Sequence, residues 1–239
     1  MCGRYVLPDE DSIGEYGVIN RCFCRRWFKP QFNVPPTVQV PIIVKAEGGL
    51  YLRSARWGLI PSWWTQEKPP SMTFNARTED AAQKPTWRDC FRSRRCLMPA
   101  RGWYEWNANE RVQGEAGPPV KQPYFISCPD TKAIAFAGLW SVWERLGAEP
   151  VVSCAVLTKP ASSGISFIHD RMPVVIKPEY YDSWLNSATT ASGVAERIAD
   201  ARVDLVGYPV SRKVNHVRND GPELIERGCG NGATGFCAG

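Results

Sequence analysis

The sequence predicts an α+β fold: a single domain around a curved, barrel-like, mostly antiparallel β-sheet with peripheral helices. Three observations carry this expectation. Short runs with strand character recur along nearly the whole chain, whereas helical patterns are few and scattered. Prolines number 20, which favours short elements over long ones. Strands and helices do not alternate as βαβ units, and no Gly-rich phosphate loop is present. At 239 residues the chain fits one domain with a real core.

Taken in order, the first expected element is a helix over residues 9–16. Residues 38–44 and 50–57 then flank Glu47-Gly48-Gly49, a turn suited to a hairpin. Further strands are expected at 72–76, 96–99, 102–106, 123–127, 133–139, 151–157, 172–176 and 204–210. Helices are expected at 79–84, 87–93, 178–185 and 191–199, the last polar on one side. Residues 107–122 are polar and rich in Gly and Pro, and read as an exposed hairpin loop. The domain is expected to span residues 2–227. The tail over residues 228–239 has too little apolar content to pack and reads as disordered.

Hydrophobic residues at 44% and charged residues at 22% suit a globular protein. No apolar run approaches the roughly 20 residues needed to cross a bilayer, so no membrane association is expected. The amino terminus lacks a basic region followed by an apolar stretch, and Asp9, Glu10 and Asp11 argue against a transit peptide. Work in the cytosol or nucleus, as a monomer, is expected. The 9 cysteines include no Cys-x-x-Cys pair, and His169 and His216 are not spaced as zinc partners. Free thiols are expected, with Cys154 a small core residue, and no metal or organic cofactor is implied. The net charge of +5 is modest, but its distribution is informative. Arg88, Arg92, Arg94 and Arg95 cluster, Arg25 and Arg26 form a pair, and tryptophans number 10. Arginine interleaved with aromatics suits single-stranded nucleic acid, where phosphates need charge and unpaired bases need flat surfaces. A solvated helix face accounts equally well for the cluster between Arg88 and Arg95.

The chain opens Met1-Cys2-Gly3-Arg4-Tyr5. Aminopeptidases remove an initiator methionine before a small side chain, which would leave Cys2 as the mature terminus. Its amine and thiol, with reference pKa values of about 7.7–8.0 and about 8.5, would both have a usable reactive fraction near neutrality. Such a 1,2-aminothiol captures aldehydes: the amine forms an imine, and the thiol closes on it to give a thiazolidine.

Three more segments are equally specific: Phe74-Asn75-Ala76-Arg77-Thr78-Glu79, Gly102-Trp103-Tyr104-Glu105-Trp106 and His169-Asp170-Arg171-Met172-Pro173. Each sets a reactive or polar residue at the edge of an expected strand, where rigid sites are built. Together with Trp57-Gly58-Leu59-Ile60-Pro61-Ser62-Trp63 and Val214-Asn215-His216-Val217-Arg218-Asn219-Asp220, they resemble the SOS-response-associated peptidase family. These are abasic-site-processing proteins that crosslink to damaged single-stranded DNA. The resemblance covers roughly residues 2–227.

The resemblance implies that Cys2 is the nucleophile on the aldehyde of an abasic deoxyribose. Glu105, between aromatic neighbours, suits the proton transfers that open the closed sugar, because an apolar pocket raises a carboxyl pKa. His169 suits protonation of the leaving hydroxyl as the imine forms. The Asn75 amide suits orientation of the terminal amine. Arg77, two residues on, would share its face of a strand and contact phosphate, with Arg4 and Arg171 nearby. Trp63 and Pro36 would supply apolar surface for bases beside the lesion.

The implied partner is single-stranded DNA carrying abasic sites, including junctions with duplex, and replication-fork proteins are a further expectation. Shielding of the lesion from strand cleavage is the expected outcome, and a Schiff base at the amine also permits weak β-elimination. The chain departs from the family pattern at Ser162, at Arg101 and in residues 107–122, none of which is a catalytic group. Two other functions fit parts of the pattern. A thiol peptidase, acting on peptides generally or on its own leading residue alone, would use Cys2 with His169 as base and Glu105 or Asn75 to orient the imidazole. A noncatalytic single-strand-binding module would need no Cys2 at all.

Overall fold

The computed structural model describes residues 2–16, 30–70, 72–113 and 118–228. The chain begins with β1 (Tyr5–Val6) and a short helix α1 (Glu10–Ile13), capped by Asp9, whose carboxylate accepts from the Ser12 N–H at 2.9 Å. It then enters the hairpin of β2 (Gln39–Ala46) and β3 (Gly49–Trp57), paired without a break from Gln39↔Arg56 to Ala46↔Gly49. Gly48 makes the turn with φ +88°, a conformation that side chains resist. After β4 (Asn75–Arg77) come α2 (Thr78–Ala81), α3 (Arg88–Ser93) and β5 (Arg95–Ala100). The long strands β6 (Gly102–Val112), β7 (Val120–Ser127), β8 (Ile134–Trp143) and β9 (Val151–Pro160) follow. Short pieces complete the chain: β10 (Arg171–Pro173), β11 (Val175–Ile176), α4 (Tyr181–Leu185), α5 (Ala191–Asp200) and β12 (Val206–Pro209).

The main sheet closes into a ring. β2 pairs with β3, β3 runs parallel to β9, β9 pairs with β8, β8 with β5, and β5 returns to β2 through Ile43↔Leu97. Closure removes the free edges that an open sheet would expose. Ile42, Ile43, Trp57, Leu97, Phe136, Leu139 and Cys154 are all buried in this body, and β5 is buried along its whole length. α4 covers β5 through Trp184, whose indole N–H donates to the Cys96 carbonyl at 2.9 Å. A second sheet, ordered β1-β6-β7-β12, packs beside the ring. Gly102 starts β6 against β7, where an added Cβ would come within 2.5 Å of Phe125 Cζ and closer still to the Ile126 carbonyl. No helix among the described residues is long and apolar enough to cross a membrane.

The curved, mixed fold matches expectation, with differences of local cause. The run at 72–76 becomes a strand only at Asn75, because Met72 holds a φ of +60°. The run at 172–176 splits in two: Pro173 ends the pairing with β9, and Val174 hands the chain to β8. Residues 107–122 are not simply an exposed loop. β6 and β7 extend through this stretch to Val112↔Val120 across a bulge, and Asn107, Val112 and Gln122 are buried. Turn-like composition concealed the ladder there. Gly228 is tied down by its N–H to the Pro209 carbonyl at 2.8 Å. The remainder of the tail, and the Arg25 and Arg26 pair, lie outside the described residues.

Candidate active site

β9 organises one half of the site. Its last residues pair with β4 on one side, Asn75↔Val156 and Arg77↔Thr158, and with β10 on the other, Arg171↔Pro160 and Pro173↔Thr158. This brings two motifs nearly a hundred positions apart in sequence onto one strand end. β6 organises the other half. β1 lies antiparallel along it with Tyr5↔Trp103, and the pairing continues to Arg4, whose carbonyl accepts from the Tyr104 N–H at 2.9 Å. Continued by one step, this register sets Gly3 opposite Glu105 and brings Cys2 to the Glu105 carboxyl.

Cys2, Asn75, Glu105 and His169 meet where these halves join. Asn75 Nδ2 donates to the Cys2 carbonyl at 2.7 Å, fixing the residue from its backbone. Asn75 Oδ1 is buried, with no hydrogen-bond partner among the described residues. His169 Nε2 lies 3.9 Å from Glu105 Oε2, while His169 Nδ1 accepts from the Arg171 N–H at 2.9 Å. The Asp170 carboxylate lies 2.9 Å from the same nitrogen and holds the ring when Nδ1 is protonated, so both contacts orient the imidazole with Nε2 facing Glu105.

Burial sets the electrostatics. Glu105 is 3% exposed, and loss of water pushes its carboxyl up from 4.5 to about 7. Burial also lowers the half-buried His169 from its ordinary 6.5. Cys2 is fully buried, and burial first, then the Glu105 carboxylate, drive its thiol far above the ordinary range; the Arg4 backbone N–H at the sulfur opposes them. This corrects the expectation of a thiolate readily available near neutrality. An enclosed sulfur facing a carboxylate stays protonated until another group takes its proton.

The expected binding residues divide. Arg77, at the end of β4, is exposed, and Trp63 is 50% exposed on the loop between β3 and β4. Pro36 is half-buried in the turn before β2. Arg4 and Arg171 are held by the protein itself. Arg4 donates to Asn33 Oδ1 at 2.8 Å and the Val214 carbonyl at 3.0 Å, and lies 5.8 Å from the Trp106 ring centroid. Arg171 grips Glu79 at 2.6 and 3.0 Å and the Thr158 carbonyl at 2.8 Å. Arg171 in turn draws the Glu79 carboxyl down to about 2. The cluster between Arg88 and Arg95 is not one surface: Arg95 is buried and donates to the carbonyls of Trp184, Phe91, Arg92 and Asn186.

Glu79 and Asn33 hold the site together in ways that the sequence alone does not reveal. Glu79 stands within the segment opening at Phe74, four residues past Asn75, which was its one available signal. Asn33 carried none. Its amide holds the carbonyls of Val214, His216 and Asn219, at 3.3, 3.1 and 2.9 Å, against the Arg4 side chain. Trp106 Nε1 donates to Asn215 Oδ1 at 2.7 Å, which locks the same segment to β6.

Fold and site together define a ring-sheet protein with a cysteine near its amino terminus beside an amide and a carboxyl, and with an imidazole facing that carboxyl. The family model described as SOS response associated peptidase (SRAP) matches residues 1–217, and the chain belongs to that family. It is 34% identical over 230 residues to the abasic site processing protein YoqW of Bacillus subtilis (strain 168), covering 95% of this chain and 99% of the relative. It is 32% identical to the abasic site processing protein YedK of Escherichia coli (strain K12), covering 82% of this chain and 84% of the relative. In fold it is similar to a crystal structure of a protein from Bacteroides thetaiotaomicron, with a TM-score of 0.80 at 22% identity, covering 95% of this chain and 100% of that one.

Proposed function

We propose that this protein processes abasic sites in single-stranded DNA by bonding Cys2 to the ring-opened sugar. The observation that carries this reading is a chain of contacts: Asn75 bonds the Cys2 carbonyl, the Glu105 carboxyl acts on the Cys2 thiol, and His169 Nε2 lies 3.9 Å from Glu105. Removal of Met1 converts the Cys2 amide nitrogen into an amine, and Asn75 Oδ1 offers a buried acceptor for it. Glu105, at about 7, exchanges protons with the sugar at neutral pH and so assists opening of the hemiacetal to the aldehyde. The amine then adds to the aldehyde carbon. His169 supplies the proton with which the resulting hydroxyl leaves as water, giving an imine. The thiol adds across the imine carbon, its proton passes to the nitrogen with Glu105 as carrier, and the thiazolidine closes. One water is lost overall.

The raised thiol pKa suits this order, since the amine attacks first and the sulfur is needed only at closure. It disfavours a thiol peptidase, in which His169 would first have to draw the proton from an enclosed thiol. Arg77 on phosphate, Arg4 and Arg171 beside it, and Trp63 and Pro36 against bases complete the proposed contact to the strand. Shielding of the lesion follows, because a thiazolidine leaves no aldehyde to drive strand cleavage. Weak lyase action and reversal by Glu105 and His169 are available from the imine.

Intact mass spectrometry before and after incubation with an oligonucleotide carrying one abasic site tests the reading. Loss of Met1, with a gain equal to the oligonucleotide minus one water, is expected. The adduct should be absent with undamaged DNA and with Cys2→Ser, while Cys2→Ser still binds noncovalently. A protein lacking Met1 that forms no adduct would sink the mechanism.

A further inference from the structure

Phe167 is 53% exposed, two residues before His169. Isolated exposed apolar residues are common and need no ligand. This one differs in how firmly it is held and in what it stands on. Its neighbours Ile165 and Ile168 are buried, at 1% and 3%, and anchor the segment from beneath. Backbone bonds of Ile165 and Ser166 to the Ser162 carbonyl, and of Ile168 to the Ile165 carbonyl, wind the segment into turns, and the Ala161 N–H closes it on Asp170. Phe167 meets the Tyr124 ring edge to face, with centroids 5.8 Å apart at 86°. Tyr124 is the direct cross-strand partner of Glu105, so the two side chains share one face of the sheet. Its hydroxyl is pinned by Glu110 Oε2 at 2.6 Å. The aromatic pair therefore continues the wall formed by Glu105 and His169 and ends in an exposed ring whose ordering is already supplied by the fold.

We propose that Phe167 is a stacking platform for a nucleobase flanking the lesion, a second aromatic contact to the single strand on a wall separate from the loop that carries Trp63. The proposal rests on the reading of the site as one for abasic DNA. A flat apolar ring beside the reacting centre accepts any base, so the platform adds affinity and alignment without sequence preference.

The test pairs three proteins with three oligonucleotides. The proteins are wild type, Phe167→Ala and Phe167→Trp. The single strands carry one lesion, with both flanking bases present or with either neighbour replaced by a base-less spacer. Noncovalent affinity is read with a tetrahydrofuran lesion that has no aldehyde, and crosslinking with a true abasic site. For wild type, loss of one particular flanking base should weaken binding roughly fivefold to a hundredfold. Phe167→Ala should show a similar loss with that base present and little further loss when it is absent; Phe167→Trp should restore the wild-type pattern. Wild-type affinity in Phe167→Ala, or a loss that is the same whichever bases are present, overturns the proposal. Because the tetrahydrofuran arm needs no covalent step, failure of crosslinking in wild type would count against the covalent mechanism and leave the stacking result readable.

Discussion

Glutamine at position 105 separates the chemical role of that carboxyl from its effect on the fold. Burial holds Glu105 at about 7 against an ordinary 4.5. A carboxyl displaced upward is harder to ionise in the folded state than in the unfolded one. Its contribution to stability is complete below 4.5 and is lost as the pH rises through about 7. At about 1.4 kcal/mol per pH unit, the displacement corresponds to about 3 kcal/mol. Glutamine keeps the shape of the neutral acid and cannot ionise. Glu105→Gln is therefore expected to exceed the parent by a little under about 1 kcal/mol at pH 5 and by up to about 3 kcal/mol at pH 8. For a chain of this size that is roughly 6–12 °C in Tm. Urea and thermal unfolding of both proteins at the two pH values measure the difference. The same variant should crosslink at least about a hundredfold more slowly. A stability difference that stays constant between pH 5 and pH 8 would refute the reasoning, since it would mean that the buried carboxyl ionises as easily in the fold as in the unfolded chain.

Other outcomes follow from the same geometry. With Glu105 at about 7 as base and His169 below 6.5 as acid, the crosslinking rate should fall on the acid side as Glu105 protonates and above about pH 7 as imidazolium is lost; residual activity of Glu105→Gln should lack the acid-side decline. Asn75→Ala removes the bond to the Cys2 carbonyl and is expected to slow crosslinking about a hundredfold with little change in noncovalent affinity, read by gel kinetics beside equilibrium binding. Arg95→Leu leaves several buried carbonyls without their donor and should destabilise the fold by about 3 kcal/mol; a DNA-binding defect at unchanged Tm would contradict the structural assignment of Arg95. Gly102→Ala forces a methyl group into Phe125 and the Ile126 carbonyl and is expected to lower stability by about 1–3 kcal/mol in urea unfolding.

Much of the fold was legible in the chain because its signals are local. The Glu47-Gly48-Gly49 turn between apolar runs specified the β2–β3 hairpin, and the helix expected at 87–93 appears as α3, Arg88–Ser93. Residue chemistry and the family resemblance also singled out Cys2, Asn75, Glu105 and His169. What the sequence could not carry depends on residues far apart along it. β1 is two residues long, too short for any period to register, yet its pairing with β6 sets Cys2 beside Glu105. Closure of the ring rests on the parallel meeting of β3 with β9 and the single bridge from Ile43 to Leu97. The thiol of Cys2 is driven up by burial that only the assembled sheets create. Arg95, one arginine among several in sequence, became a buried clamp, and Arg171 found Glu79 across ninety-two positions. Residue type determines which chemistry is available, and local pattern determines the elements. Register, burial and the partners of each charge are long-range quantities, and only the tertiary structure decides them.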